Sequence, residues 1–123
     1  MKPNPIRWFE IYVDDMPRAK AFYESVFKTT LTRLDTPDLE IWAFPMSMED
    51  YGAPGALVKM EGFSPGRNSV IIYFASDNCS IETERVIENG GSIQREKFSI
   101  GEYGFISLVI DTEGNMIGIH SME

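Results

Sequence analysis

Twice along the chain a hydrophobic pattern of period two gives way to one of period 3.6, and no other feature restricts the fold as much. The stretch RWFEIYV (Arg7 to Val13) alternates as a strand does, placing Trp8, Glu10 and Tyr12 on one face and Phe9, Ile11 and Val13 on the other. DDMPRAKAFYESVF follows with the marks of a helix: Asp14 or Asp15 as N-cap, Pro17 in the first turn, and Ala19, Phe22, Tyr23, Val26 and Phe27 at helical spacing. KTTLTRL, LEIWAFP and PGALVKM then read as strands. The order recurs with NSVIIYFAS (Asn68 to Ser76), a helix DNCSIETERVIENGG capped by Asp77 or Ser80 and stopped at Gly90-Gly91, and the strands SIQREKFSI, YGFISLVID and NMIGIHS. The helices begin about 62 residues apart. This order predicts an α+β fold in one domain, 1–123, built of two βαβββ modules at about 5–61 and 68–123. The sheets are expected to curl around a central cavity, with the helices on their outer faces.

Composition removes whole classes of function. No apolar run approaches the ~20 residues of a membrane span, and MKPNPIRWFEIYV lacks the apolar core of a signal peptide, so a cytoplasmic protein is expected. Cys79 is the only cysteine, which excludes an intrachain disulfide and a Cys-based zinc site. Nineteen acidic against eleven basic residues give a net charge of -8, disfavouring nucleic acid and anionic membranes as partners and favouring a cationic or neutral ligand. No phosphate loop, nucleophile elbow or HExxH helix is present.

WFEIYVDDMPRAKAFYESVF, PGALV, ENGGSI and DTEGNMIGI, in that order, resemble the vicinal oxygen chelate superfamily, which includes glyoxalase I, bleomycin-resistance proteins, fosfomycin-resistance enzymes and extradiol dioxygenases. The resemblance implies a paired βαβββ fold, commonly a homodimer, whose cavity in the enzymes holds a divalent metal that chelates two neighbouring substrate oxygens. It places the four metal-ligand positions on Trp8, Val58, Ile71 and Gly118, none of which offers a side-chain donor. No metal and no cofactor are therefore expected. The closing turn DTEGN reverses the chain through Gly114 and Asn115, both tolerant of positive φ, and supplies no ligand at the expected place.

What remains is a cavity. Trp8, Tyr12, Val58, Met60, Ile71, Tyr73, Met116 and Gly118 share the parity that faces it, with Phe105 reaching in from the turn before its strand, and this set suits an apolar or aromatic ligand. Glu10 and His120 lie two residues from ligand positions on the same faces. They read either as an ion pair, an acid–base couple or a substitute metal site, fixing the polar end of a ligand in the binding reading, or as a partly buried carboxylate and a terminal-strand histidine without a role in chemistry. The loop Pro45 to Gly55 reads as a lid or as a bare connection. The expected function is metal-free binding of a small molecule by a homodimer. The alternative is a glyoxalase-like lyase or isomerase using an off-position metal or Glu10 as general base.

Overall fold

The computed structural model describes residues 3–4, 6–37, 39–66 and 70–123. The expected module limits at Pro5 and Asn68, together with Ser69 and the first two residues of the N-terminal stretch, lie outside the described residues.

The period-two segments form β1 (Phe9–Tyr12), β2 (Thr32–Leu34), β3 (Glu40–Ala43), β4 (Gly55–Lys59), β5 (Tyr73–Ala75), β6 (Ser92–Ser99), β7 (Phe105–Ile110) and β8 (Met116–Ser121), and the helical ones form α1 (Met16–Phe27) and α2 (Cys79–Glu88). Each module makes its own four-stranded mixed sheet, in the orders β1-β4-β3-β2 and β5-β8-β7-β6. The first strand of each module runs parallel to the last, and the other pairs are antiparallel. The expected curled sheet is thus divided into two hydrogen-bonded halves, and β5 is shorter than its apolar run suggested.

Local chemistry explains the helix limits. Asp15 caps α1, its carboxylate accepting from the Arg18 N–H at 3.0 Å, and proline occupies the first turn. For α2 the cap is Asn78, not Asp77 or Ser80: its backbone is extended (φ -152°, ψ 106°), and its side-chain oxygen accepts from the Ser80 N–H. The helix stops where Gly90 takes φ +91° and the Gly91 N–H bonds the Val86 carbonyl.

Both helices lie on the same side of the sheets and touch each other, so the two modules share one core. Val13, Phe22, Tyr23, Val26 and Leu57 of the first module close it with Cys79, Val86, Val109, Ile117 and Ile119 of the second. Cys79 is fully buried there as a small apolar residue. A guanidinium N–H of Arg85 in α2 donates to the Val26 carbonyl in α1 at 3.1 Å. The helices cover one face of each sheet, which leaves the strand residues of opposite parity to form the other.

Candidate functional site

On β1 the alternation puts Trp8, just ahead of the strand, in line with Glu10 and Tyr12 on the face away from α1. The Trp8 indole N–H donates to Glu10 Oε2 at 3.2 Å, and the Tyr12 hydroxyl donates to Glu10 Oε1 at 2.8 Å. That bond to Glu10, with burial and the carboxylate's charge behind it, raises the Tyr12 pKa. The Tyr12 ring stacks on Phe63 at 5.4 Å, and Phe63 is brought there by a turn that Met60 and Phe63 close as an isolated bridge. Beside this row, Ile41, Ala43, Ala56 and Val58 form a small apolar cluster.

On β8 the neighbouring module offers a different surface. Gly118 pairs with Tyr73 and Leu108, and the Tyr73 ring lies across it so closely that a Cβ at position 118 would stand 2.2 Å from a ring carbon. Glycine is therefore required sterically wherever the tyrosine holds this place. His120, two residues on, bonds the Tyr103 carbonyl through Nε2 at 2.7 Å. A carbonyl only accepts, so Nε2 carries the proton in this bond.

The expected coupling of Glu10 with His120 is not formed. Glu10 stands on β1 of the first sheet and His120 on β8 of the second, and each is bonded to other groups. Phe105 does not face the cavity: it pairs with Ser121, on the helix side, and packs against the core with the Lys97 ammonium 4.7 Å from its ring. One residue of register separates it from Ile106, which shares the His120 face. Val58, with 1% of its surface exposed, is packed among Tyr12, Ile41 and Met60 and cannot meet a ligand in this conformation. Met60 follows β4, and Ile71 precedes β5 and is half-buried.

A cavity of about 220 Å³ lies at the seam between modules. Glu10 and Tyr12 line it from β1, Asn115 and Met116 from the start of β8, and Ser64, Pro65, Gly66 and Val70 from the connection between modules. Ile11, Ile72 and Ile117, whose parity is that of the core, complete the lining. Of the residues expected from the alternation, Glu10, Tyr12 and Met116 line this cavity, with Trp8 bonded at the edge. The loop Pro45 to Gly55, read as a lid or as a bare connection, contributes no residue to this cavity. Asn115 is the residue that sequence reasoning missed. Its side chain donates to the Tyr12 carbonyl at 2.9 Å and to Asp111 at 3.1 Å, and its oxygen accepts from the Gly66 N–H at 3.0 Å. Of the two turn residues credited with positive φ, only Gly114 uses it, at +87°.

The acids of the closing turn serve the same seam. Glu113 Oε1 accepts from the Asp14 and Asp15 N–H groups, and the Arg18 guanidinium grips both of its oxygens at 2.7 and 2.9 Å. Burial alone would raise the Glu113 pKa, but the Arg18 bonds, the two backbone donors and the Thr112 hydroxyl outweigh it and hold the value at about 2. Asp111 accepts from the Tyr23 hydroxyl at 2.6 Å and from the backbone of Glu113 and Asn115. There burial prevails over the bonds, and its pKa is raised. Tyr23, wholly buried beside this carboxylate, is pushed well above the ordinary tyrosine value by burial first and by Asp111 second.

Residues 6–119 match the family model described as the Glyoxalase/Bleomycin resistance protein/Dioxygenase superfamily. The protein named "Putative glyoxylase CFP32" of Mycobacterium tuberculosis is 26% identical over 117 residues, which cover 91% of this chain and 43% of that protein. The chain thus spans less than half the length of the curated relatives it matches. Glyoxalase I from Zea mays superposes with a TM-score of 0.74 at 19% identity, covering 96% of this chain and 46% of that one. A glyoxalase-related enzyme from Fulvimarina pelagi superposes with a TM-score of 0.70 at 15% identity, covering 97% of this chain and 88% of its own. At these identities the likeness to solved structures is one of fold.

Proposed function

The chain belongs to the Glyoxalase/Bleomycin resistance protein/Dioxygenase superfamily, and on that premise we propose that it binds a small apolar or aromatic molecule at the seam between its modules without a metal. The observation that carries this reading is the cavity itself, with a mostly apolar lining and the Glu10 carboxylate held on its wall by Trp8 and Tyr12. Its volume has room for about seven waters' worth of ligand, so the occupant is small.

The donor set speaks against the superfamily's metal. Trp8, Val58, Ile71 and Gly118 carry no ligating group, Val58 is buried, and the Tyr73 ring covers Gly118. Among the described residues, no three of His, Cys, Asp and Glu are gathered as a cation would require. The residues do not fit such a metal. A Glu10 general base would need a donor for the developing oxyanion. The Tyr12 hydroxyl already donates to Glu10, and the Asn115 amide donates to Tyr12 and Asp111. Binding is therefore preferred to turnover.

A thermal-shift titration tests the reading. Zn²⁺, Ni²⁺, Mn²⁺ and Fe²⁺ are expected to leave the melting temperature unchanged, while an aromatic ligand at 100 times its Kd should add about 2.7 kcal/mol, roughly 10 °C for a domain of this size. Strong stabilisation by one stoichiometric metal ion would overturn the proposal in favour of a glyoxalase-like lyase or isomerase. The homodimer belongs to the same proposal. Tyr73, Leu108, Ile110 and Met116 lie on one face of the second sheet, none of them fully buried, with Tyr73 47% exposed. Sedimentation equilibrium at tens of micromolar is expected to give twice the chain mass, and a monomer there would remove the dimer.

A further inference from the structure

Two of the carboxylates at the seam, Glu113 and Glu10, are treated very differently. Glu113 is neutralised: its side chain is fully buried and the Arg18 guanidinium grips both oxygens. Glu10 is held by local donors, but they are neutral ones, the Trp8 indole and the Tyr12 phenol. Among the described residues no Lys, Arg or His stands within ion-pair distance of Glu10. Each of its oxygens accepts one of those bonds and keeps capacity for another. A carboxylate fixed in orientation, without a counter-ion, on the wall of a cavity is a site awaiting a positive charge with N–H donors.

Its surroundings favour an organic cation over a hydrated metal ion. Trp8 is 36% exposed, and Phe63, stacked on Tyr12, is 52% exposed, so aromatic surface flanks the carboxylate where a cation would approach. Ile11, Ile72 and Ile117 make the adjoining lining apolar. A quaternary ammonium would meet the rings but could give Glu10 no hydrogen bond, whereas a protonated amine makes a charge-assisted one. The net charge of -8 raises the local concentration of any cation.

We propose that Glu10, flanked by Trp8, Tyr12 and Phe63, recognises the protonated amine of a small ligand whose apolar body occupies the seam cavity, an inference that rests on that cavity being the binding site. The test is isothermal titration of the full chain at pH 7 with benzylamine, benzyl alcohol and benzoate, three probes of nearly one shape and different charge. Benzylamine is expected to bind at least tenfold tighter than benzyl alcohol, with benzoate weakest. Glu10→Gln, nearly isosteric at an exposed position, should lower benzylamine affinity at least tenfold and benzyl alcohol affinity far less, so that the preference for the amine is lost. Raised salt should weaken the amine alone. Equal binding of amine and alcohol, or a Glu10→Gln variant that binds benzylamine as the wild type does, overturns the amine site while leaving the cavity as a binding site. No binding by any probe at about 10 mM, well above the millimolar Kd expected of a weak fragment, overturns both readings.

Discussion

Phe74→Ala is expected to destabilise the protein by about 3 kcal/mol. Phe74 lies on β5 in the second module, yet its ring partners are all in the first: Phe27 at 4.5 Å and nearly parallel, Phe44 at 5.5 Å, Tyr23 at 5.9 Å and Phe9 at 6.1 Å edge-on. Truncation removes these contacts together and leaves a cavity that rigid neighbours on the first sheet and α1 cannot collapse to fill. The residue is only partly buried, which places the estimate at the low end of phenylalanine-to-alanine costs. Phe74→Leu keeps most of the volume and should cost about 1 kcal/mol. Urea denaturation reads both, and a loss below about 1 kcal/mol for the alanine variant would mean that the modules are held together elsewhere. Because Phe74 pairs with Ile119 of β8 and its ring meets Phe9 of β1, the variant should also weaken binding of benzyl alcohol in the seam cavity.

Glu113→Ala is expected to cost a similar amount, about 3 kcal/mol at pH 7, through electrostatics rather than packing. The substitution strips an acceptor from the Asp14 and Asp15 N–H groups and from Arg18, 95 residues away along the chain. The pH dependence identifies the mechanism. With its pKa held at about 2 in the folded protein against 4.5 in the reference state, Glu113 binds fewer protons folded than unfolded. Its stabilisation is complete above about pH 4.5 and is lost as the pH falls through about 2. Asp111 acts in the opposite sense: burial raises its pKa, so lowering the pH through the region above its ordinary value favours the folded state. Denaturation curves at pH 7, 4 and 2.5 should therefore show the wild type losing more stability than Glu113→Ala. Equal losses would refute the role given to the carboxylate.

The amine site and the metal question turn on side chains whose local placement was legible. The alternation in RWFEIYV placed Trp8, Glu10 and Tyr12 on one face, and they make bonds to one another there. No long-range information was needed, because strand geometry alone brings residues two apart to the same side. The second-module residues were less legible. That Gly118 would lie beneath Tyr73 required the parallel register of β5 and β8, which nothing in either segment specifies. Asn115 looked like a turn residue because its type suits turns, and its bonds to Tyr12 and Gly66 depend on how the modules dock.

Element order, an α1 cap at Asp14 or Asp15 and the face assignment on β1 follow from the chain by itself, since backbone geometry imposes periods of 2 and 3.6 on any segment that folds locally. Only the tertiary structure decided that Glu10 and His120 stand on different sheets, that Phe105 turns to the core, and that the acids of the last turn brace the start of α1. Those outcomes depend on register and on the docking of two modules, which a shared aromatic core joins through Tyr23 and Phe74, and which the Arg18–Glu113 ion pair and the Tyr23–Asp111 bond join across 95 and 88 positions.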